Sequence, residues 1–319
     1  MILARRAVLG LSFAALAAPA LAGRAAAEAR PAERTIRVGP VTRHYLELVP
    51  PGLGRRPPVL VVLHGGTGSM RDLFGRRGGA MADLPAIARA EGMILVAPNG
   101  TSAAGDPAGD RQTWNDLRDG RSDGIDDVGF LTRLVGRVVA EHRADAGRVC
   151  IAGASNGGMM TYRMLIEAPD LFAAAAAFVA NLPAGTRPVP RRPVPLMIMN
   201  GTADPLMPWD GGPISGDRGR VTSTAETVRH FVRGNGLSGP PRHRPLPDRD
   251  PGDGCRMVES RWDGAAPVVL VTVEGGGHRI PWPGAGRPGP LAGRVLGPAC
   301  RDAHGLRMAW DFMKRFRRT

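Results

Sequence analysis

The stretch Arg148-Val149-Cys150-Ile151-Ala152-Gly153-Ala154-Ser155-Asn156-Gly157-Gly158-Met159 decides the fold. Arg148–Ala152 is a short, mostly apolar run, as expected of a strand buried on both faces. Met159–Glu167 reads as helix. Between them, Gly153-Ala154-Ser155-Asn156-Gly157 has the form Gly-x-Ser-x-Gly. In a strand–turn–helix setting this pattern makes a tight, strained turn that exposes a serine hydroxyl. The small residues on either side let strand and helix approach without clashing. The N-terminus of the following helix favours negative charge developing nearby.

The same punctuation recurs along the chain. The apolar run Pro58–Leu63 ends in His64-Gly65-Gly66-Thr67-Gly68. Pro195–Met199 ends in Asn200-Gly201-Thr202-Ala203-Asp204, and Pro267–Val273 ends in Glu274-Gly275-Gly276-Gly277-His278. Met93–Ala97 is a further buried strand, and Thr35–Val49 reads as paired edge strands. Helices are expected over Met81–Glu91, Val128–His142, Thr222–Gly234 and Asp302–Phe316. The segments 99–123, Pro240–Gly254 and 279–298 read as loops. This alternation predicts an α/β fold, with a mostly parallel central sheet and helices on both faces. Ligands bind such sheets at the carboxyl ends of the strands. The four Gly-rich loops should therefore meet on one edge.

Each loop brings one element of acyl-transfer chemistry. A serine hydroxyl is a poor nucleophile unless a base takes its proton. After a Gly-x-Ser-x-Gly turn, the partners follow in the order acid, then histidine. Of the histidines downstream of the candidate acids, His230 lies mid-helix, His243 in a Pro-rich loop and His304 by the terminal helix. Only His278 directly follows a buried strand, which makes it the general base. Asp204 lies just past a strand between Ser155 and His278 and is the candidate acid; Asp210 is the alternative. Asp126 and Asp127 precede the nucleophile, and are expected to cap the helix that follows them. The oxyanion of a tetrahedral intermediate needs two backbone N–H donors. Asn156 is the expected source of one, and Gly66 or Thr67 of the other. His64 reads as structural. Trp114 and Trp282 fall in long loops near this edge and are candidates for substrate binding.

Composition narrows the class. The chain has 319 residues and a net charge of +13, with 42 Lys+Arg against 29 Asp+Glu. All of those cations but Lys314 are arginine. They are scattered rather than blocked, which argues against a nucleic-acid arm and fits a compositional bias. The 44 Gly and 30 Pro stop short of a disordered composition, and 43% hydrophobic residues can build a full core. Residues 1–22 combine a cationic start, the apolar run Ala7–Ala22 and an Ala20-Leu21-Ala22 cleavage site, the pattern of a secretory signal peptide. Export to a secreted or periplasmic location is therefore expected, with no stable membrane anchor after cleavage. Residues 23–34 would form a leader and 35–319 a single domain. Of three cysteines, Cys150 sits in a strand and is expected to be a buried free thiol. Cys255 and Cys300 are the candidate disulfide pair in an oxidising compartment. No spacing signals a metal, and the proposed chemistry calls for no cofactor.

Several segments, in this order, carry a family resemblance: Leu63-His64-Gly65-Gly66, Thr113-Trp114-Asn115, Asp126-Asp127-Val128-Gly129-Phe130, Ser155-Asn156-Gly157-Gly158-Met159-Met160-Thr161-Tyr162-Arg163, Gly201-Thr202-Ala203-Asp204-Pro205 and Gly275-Gly276-Gly277-His278. Over about residues 35–316 the set resembles secreted esterases that include polyhydroxybutyrate depolymerase-like proteins and feruloyl esterases. The resemblance implies an α/β-hydrolase fold and a triad of Ser155, Asp204 and His278. It implies a small-molecule or oligomeric ester as the substrate. The segment Arg279-Ile280-Pro281-Trp282-Pro283-Gly284 is two residues longer than the family's usual His-x-Trp-Pro-Gly. Competing readings are a serine peptidase of the same fold and a non-catalytic basic binding protein. Oligomeric state is open.

Overall fold

A computed structural model describes residues 30–318, apart from 75–78, 103, 119–123, 187 and 287. The expected signal peptide and most of the leader lie outside the described residues. In chain order the strands are β1 (Ala32–Val38), β2 (Val41–Leu48), β3 (Val59–Leu63), β4 (Ile94–Pro98), β5 (Val149–Ala154), β6 (Ala174–Phe178), β7 (Leu196–Gly201), β8 (Gly212–Pro213), β9 (Arg220–Val221), β10 (Arg242–Pro245), β11 (Arg256–Trp262) and β12 (Val268–Glu274). The helices are α1 (Leu84–Glu91), α2 (Asp127–Glu141), α3 (Asn156–Glu167), α4 (Thr224–Gly234), α5 (Pro290–Leu296) and α6 (Gly305–Met313).

All strands but β8 and β9 form one ten-stranded sheet of order β1-β2-β4-β3-β5-β6-β7-β12-β11-β10. The six strands from β4 to β12 pair in parallel. The antiparallel pairs β1–β2 and β11–β10 extend the two ends. The parallel strands read as continuous apolar runs because both faces are covered. Along β3, Val59, Val61 and Leu63 pack with α2, α3 and α4 through Phe130, Met160 and Phe231. Leu60 and Val62 point the other way, toward α1 and α6 through Leu84 and Trp310. One five-residue strand thus feeds two cores by simple alternation.

The expected architecture is present, with three local differences. The sheet begins at Ala32, inside the expected leader, because Ala32, Glu33 and Arg34 pair with Glu47, Leu46 and Tyr45. The expected loop Pro240–Gly254 contains β10, and β11 follows it. β10 is Arg-His-Arg-Pro, exposed along its whole length. It is held by backbone pairing to β11 rather than by a buried face, so it carries no hydrophobic alternation. The Gly/Pro-rich segment 279–298 contains the short helix α5, which starts from Pro290 and buries no residue.

Candidate active site

The turn between β5 and α3 holds Ser155 at φ 55°, ψ −122°, a strained conformation for a residue with a side chain. Its amide donates to the Phe178 carbonyl at 2.9 Å, and its carbonyl accepts from Met159 N–H at 2.9 Å. The flanking glycines are sterically required. A Cβ on Gly153 would lie 2.2 Å from the Gly157 carbonyl oxygen, and one on Gly157 would lie 2.4 Å from that of His64. This close approach packs the start of α3 against the end of β3, where the His64–Gly68 loop begins.

Two further strand ends supply the partners. Asp204, past β7, sets one oxygen against Leu206 N–H and Met207 N–H, both at 2.8 Å. Its other oxygen lies 2.6 Å from His278 Nδ1, past β12. A carboxylate only accepts, so Nδ1 carries the proton and Nε2 is left to take another. The His278 backbone is fixed by its own amide, which donates to the Leu296 carbonyl at 2.7 Å. The His278 and Asp204 side chains are 9% and 2% exposed. Asp210, the alternative acid, is exposed. Ser155 and His278 line one cleft together with Gly66, Thr67 and Asn156. Four chain-distant loops thus converge on the carboxyl edge of the sheet.

The oxyanion candidates are adjacent. A Cβ on Gly66 would lie 3.4 Å from the Asn156 Cβ. Thr67 adopts φ 61°, a left-handed conformation, in the turn that lines the cleft with Ser155. The Asn156 side chain is buried behind the site and acts as a staple. Its Oδ1 accepts from Trp114 N–H at 2.7 Å and from the Thr113 hydroxyl at 3.0 Å. Its Nδ2 donates to the Trp114 carbonyl and to Asp116. Sequence reasoning used only its backbone amide.

His64 is buried, and burial pushes its imidazole down to about 4. Gly100 N–H donates to Nε2 at 3.0 Å. The proton therefore sits on Nδ1 and is shared with the Gly65 carbonyl at 2.8 Å. His64 is thus a neutral brace between two loops, in keeping with its structural reading.

The structure moves three residues from their expected roles. Trp114 is fully buried, donates its indole N–H to the His64 carbonyl at 3.0 Å, and does not line the cleft. Trp282 is likewise away from the cleft; the longer segment after His278 carries it to Asp83, which accepts its indole N–H at 2.7 Å. Asp126 caps α2 by accepting from Gly129 N–H. Asp127 does not cap. It is buried, pairs with Arg43 at 2.6 Å and accepts from Asn115 N–H at 2.8 Å. The residues that do line the cleft and went unremarked are Arg111, Arg118 and Arg218, with Met159, Met207 and Ile214. The arginines and Met207 and Ile214 lie in connecting segments, and Met159 in the first turn of α3, so no local pattern marks them.

Fold and cleft together define an α/β-hydrolase. A family model described as the prolyl oligopeptidase family matches residues 85–184, the part from α1 to β6 that carries Ser155. Over nearly the whole chain, similarity runs to "Putative esterase NocK" of Nocardia uniformis subsp. tsuyamanensis, 33% identical over 308 residues, 91% of this chain and 84% of that protein. Feruloyl esterase B of Piromyces equi is 27% identical over 60% of this chain. Feruloyl esterase B of Neurospora crassa is 35% identical over 41% of it. The chain spans 32% and 41% of the length of those two enzymes. Among solved structures, an acetyl xylan esterase from Aspergillus awamori shares the fold with a TM-score of 0.55 at 16% identity, covering 79% of this chain and 95% of that one. The chain belongs to this family of esterases and is a carboxylic ester hydrolase.

Proposed function

We propose that the chain hydrolyses carboxylic esters through an acyl-enzyme on Ser155. His278 Nε2 takes the hydroxyl proton as Oγ attacks the ester carbonyl. The N–H groups of Asn156 and of Gly66 or Thr67 stabilise the oxyanion. The imidazolium, held by Asp204, then gives its proton to the departing alcohol. Water attacks the acyl-enzyme by the same route, so one ester and one water become one acid and one alcohol. The observation that carries this reading is the 2.6 Å Asp204–His278 contact in a chain whose strained Ser155 shares the cleft with His278.

The test is a Ser155→Ala variant assayed on a short 4-nitrophenyl ester. Its kcat should fall at least about 1000-fold, as when a triad member is removed. Retained activity would refute the assignment. The family model's peptidase description motivates a parallel arm, because acyl-enzyme chemistry serves amides as well. Anilide analogues of the same acyl groups should turn over far more slowly than the esters.

The same proposal places the enzyme outside the cytoplasm. The apolar N-terminus with its Ala20-Leu21-Ala22 site and the Cys255–Cys300 disulfide support this. No helix among the described residues is long and apolar enough to cross a membrane. N-terminal sequencing of exported material should begin just past Ala22.

A further inference from the structure

Among the described residues, the charge lining the cleft is one-sided. Arg111, Arg118 and Arg218 all face it, and no Asp or Glu lines it among the described residues. Arg118 is already matched. Its side chain is 4% exposed, and its Nε lies 2.9 Å from both Asp116 oxygens. It also donates to the Arg218 carbonyl at 2.7 Å, which fixes the neighbouring loop. Arg111 differs. It is exposed, and no carboxylate among the described residues pairs with it. Its loop is rigid at that point, because the next residue, Gln112, donates its amide to the Gly68 carbonyl at 2.8 Å beside the oxyanion turn. Arg218 sits on that neighbouring loop, between β8 and β9, with Nε donating to the Ser215 carbonyl at 2.6 Å. Met159, Leu206, Met207 and Ile214 give the cleft an apolar wall.

An apolar wall beside an exposed guanidinium suits a particular ligand shape: an apolar stem ending in an anion. We propose that the cleft selects esters that carry a carboxylate away from the scissile bond, with Arg111 as the anchor. This rests on the esterase reading of the same site. The guanidinium fork matches a carboxylate in geometry as well as in charge, which favours Arg over Lys at such a position. The steering component is long-range and screened by salt, so it should shrink between 0.01 M and 1 M ionic strength as the Debye length falls from about 30 to about 3 Å.

The test compares matched ester pairs. On the acyl side these are 4-nitrophenyl hydrogen adipate and 4-nitrophenyl hexanoate. On the alcohol side they are 4-acetoxybenzoate and its methyl ester, with rates corrected for alkaline hydrolysis. At low salt the wild type should favour the anionic member of at least one pair by about tenfold or more in kcat/KM. Which pair responds identifies the side of the ester that meets Arg111. Arg111→Gln should collapse that ratio toward one and Arg111→Lys should keep part of it. Arg294→Gln, an exposed cation away from the cleft, should leave it unchanged. A second arm follows thermal shifts of Ser155→Ala with each ester, so that binding is read without turnover; the anionic ester should give the larger shift, and Arg111→Gln should abolish the difference. Equal rates and equal shifts for both members of both pairs would overturn the anionic preference while leaving the esterase standing. No turnover of any ester would instead overturn the esterase reading, with the thermal shifts still deciding the anion preference.

Discussion

Asp204 cannot rotate without losing hydrogen bonds, since one oxygen is held by two amides and the other by His278. Under the proposed mechanism this fixes the tautomer of the base and stabilises the imidazolium. Asp204→Asn keeps the shape but removes the charge, and kcat should fall by about 10³–10⁴-fold, as for other triads with this change. Asp210→Asn, at the exposed alternative acid, should leave kcat within about twofold; the two variants assayed side by side decide which acid serves. His64 makes a different prediction. The unfolded imidazole takes a proton near its ordinary value of 6.5, while the folded, buried one does so only near 4. Between these values the unfolded state binds the extra proton, so stability falls as pH drops through the window. The shift corresponds to about 3 kcal/mol lost by pH 4. Denaturant unfolding followed from pH 7 to pH 4 should show a steeper decline in the wild type than in His64→Gln. At this scale Ser155, Asp204 and His278 were legible because each ends a recognisable strand. The partners of His64 and Asp127 were not, because hydrogen bonds across 36 and 84 residues leave no local trace.

Helix α3 does more than follow the Ser155 turn. Its first residue, Asn156, ties the helix to the loop that carries Thr113, Trp114 and Asp116 through four side-chain hydrogen bonds. Asn156→Ala would leave buried donors and acceptors on that loop without partners, at about 1–3 kcal/mol each. Its unfolding midpoint should drop by several degrees, and kcat on a nitrophenyl ester should fall because the loop borders the cleft. An unchanged midpoint would show that water replaces the staple. Helices α1 to α4 and α6, and strands β3, β4, β5, β7 and β12, were readable from their apolar runs and periodicity. β10 was not, because an exposed edge strand obeys neither strand alternation nor helical period and exists only through its pairing with β11. The hairpin β8–β9 escaped for a similar reason: two paired residues on each arm make no pattern.

Across the whole molecule, the disulfide between Cys255 and Cys300 closes a loop with a sequence separation of 45 residues. It joins the start of β11 to the segment past α5 and so braces the His278 side of the sheet. In a chain-entropy description such a loop contributes about 4 kcal/mol. Unfolding free energies measured with and without a thiol reductant should differ by about that amount, and no difference would mean the bridge is dispensable. Asp253 and Asp302 lie beside the two sulfurs in a group whose ligand atoms fall within 4.8 Å, but the bridge commits both sulfurs to each other. Cys150 is buried, and burial pushes its thiol up to about 12, so a thiol reagent should leave it unmodified until the chain unfolds.

Fold class and the strained serine turn could be read from the residues alone because both rest on local rules. Buried parallel strands are apolar on both faces, and a serine on a tight strand-to-helix turn needs small neighbours. The order acid, then histidine, ranked the remaining candidates. The contents of the cleft could not be read this way. Tertiary packing buried Trp114, whose indole N–H finds the His64 carbonyl, and tied the half-buried Trp282 to Asp83 instead of the cleft. It brought Arg111 and Arg218 to the cleft from loops about a hundred residues apart. Substrate recognition depends on which long loops meet above the sheet edge, and that is settled by long-range contacts that no local pattern encodes.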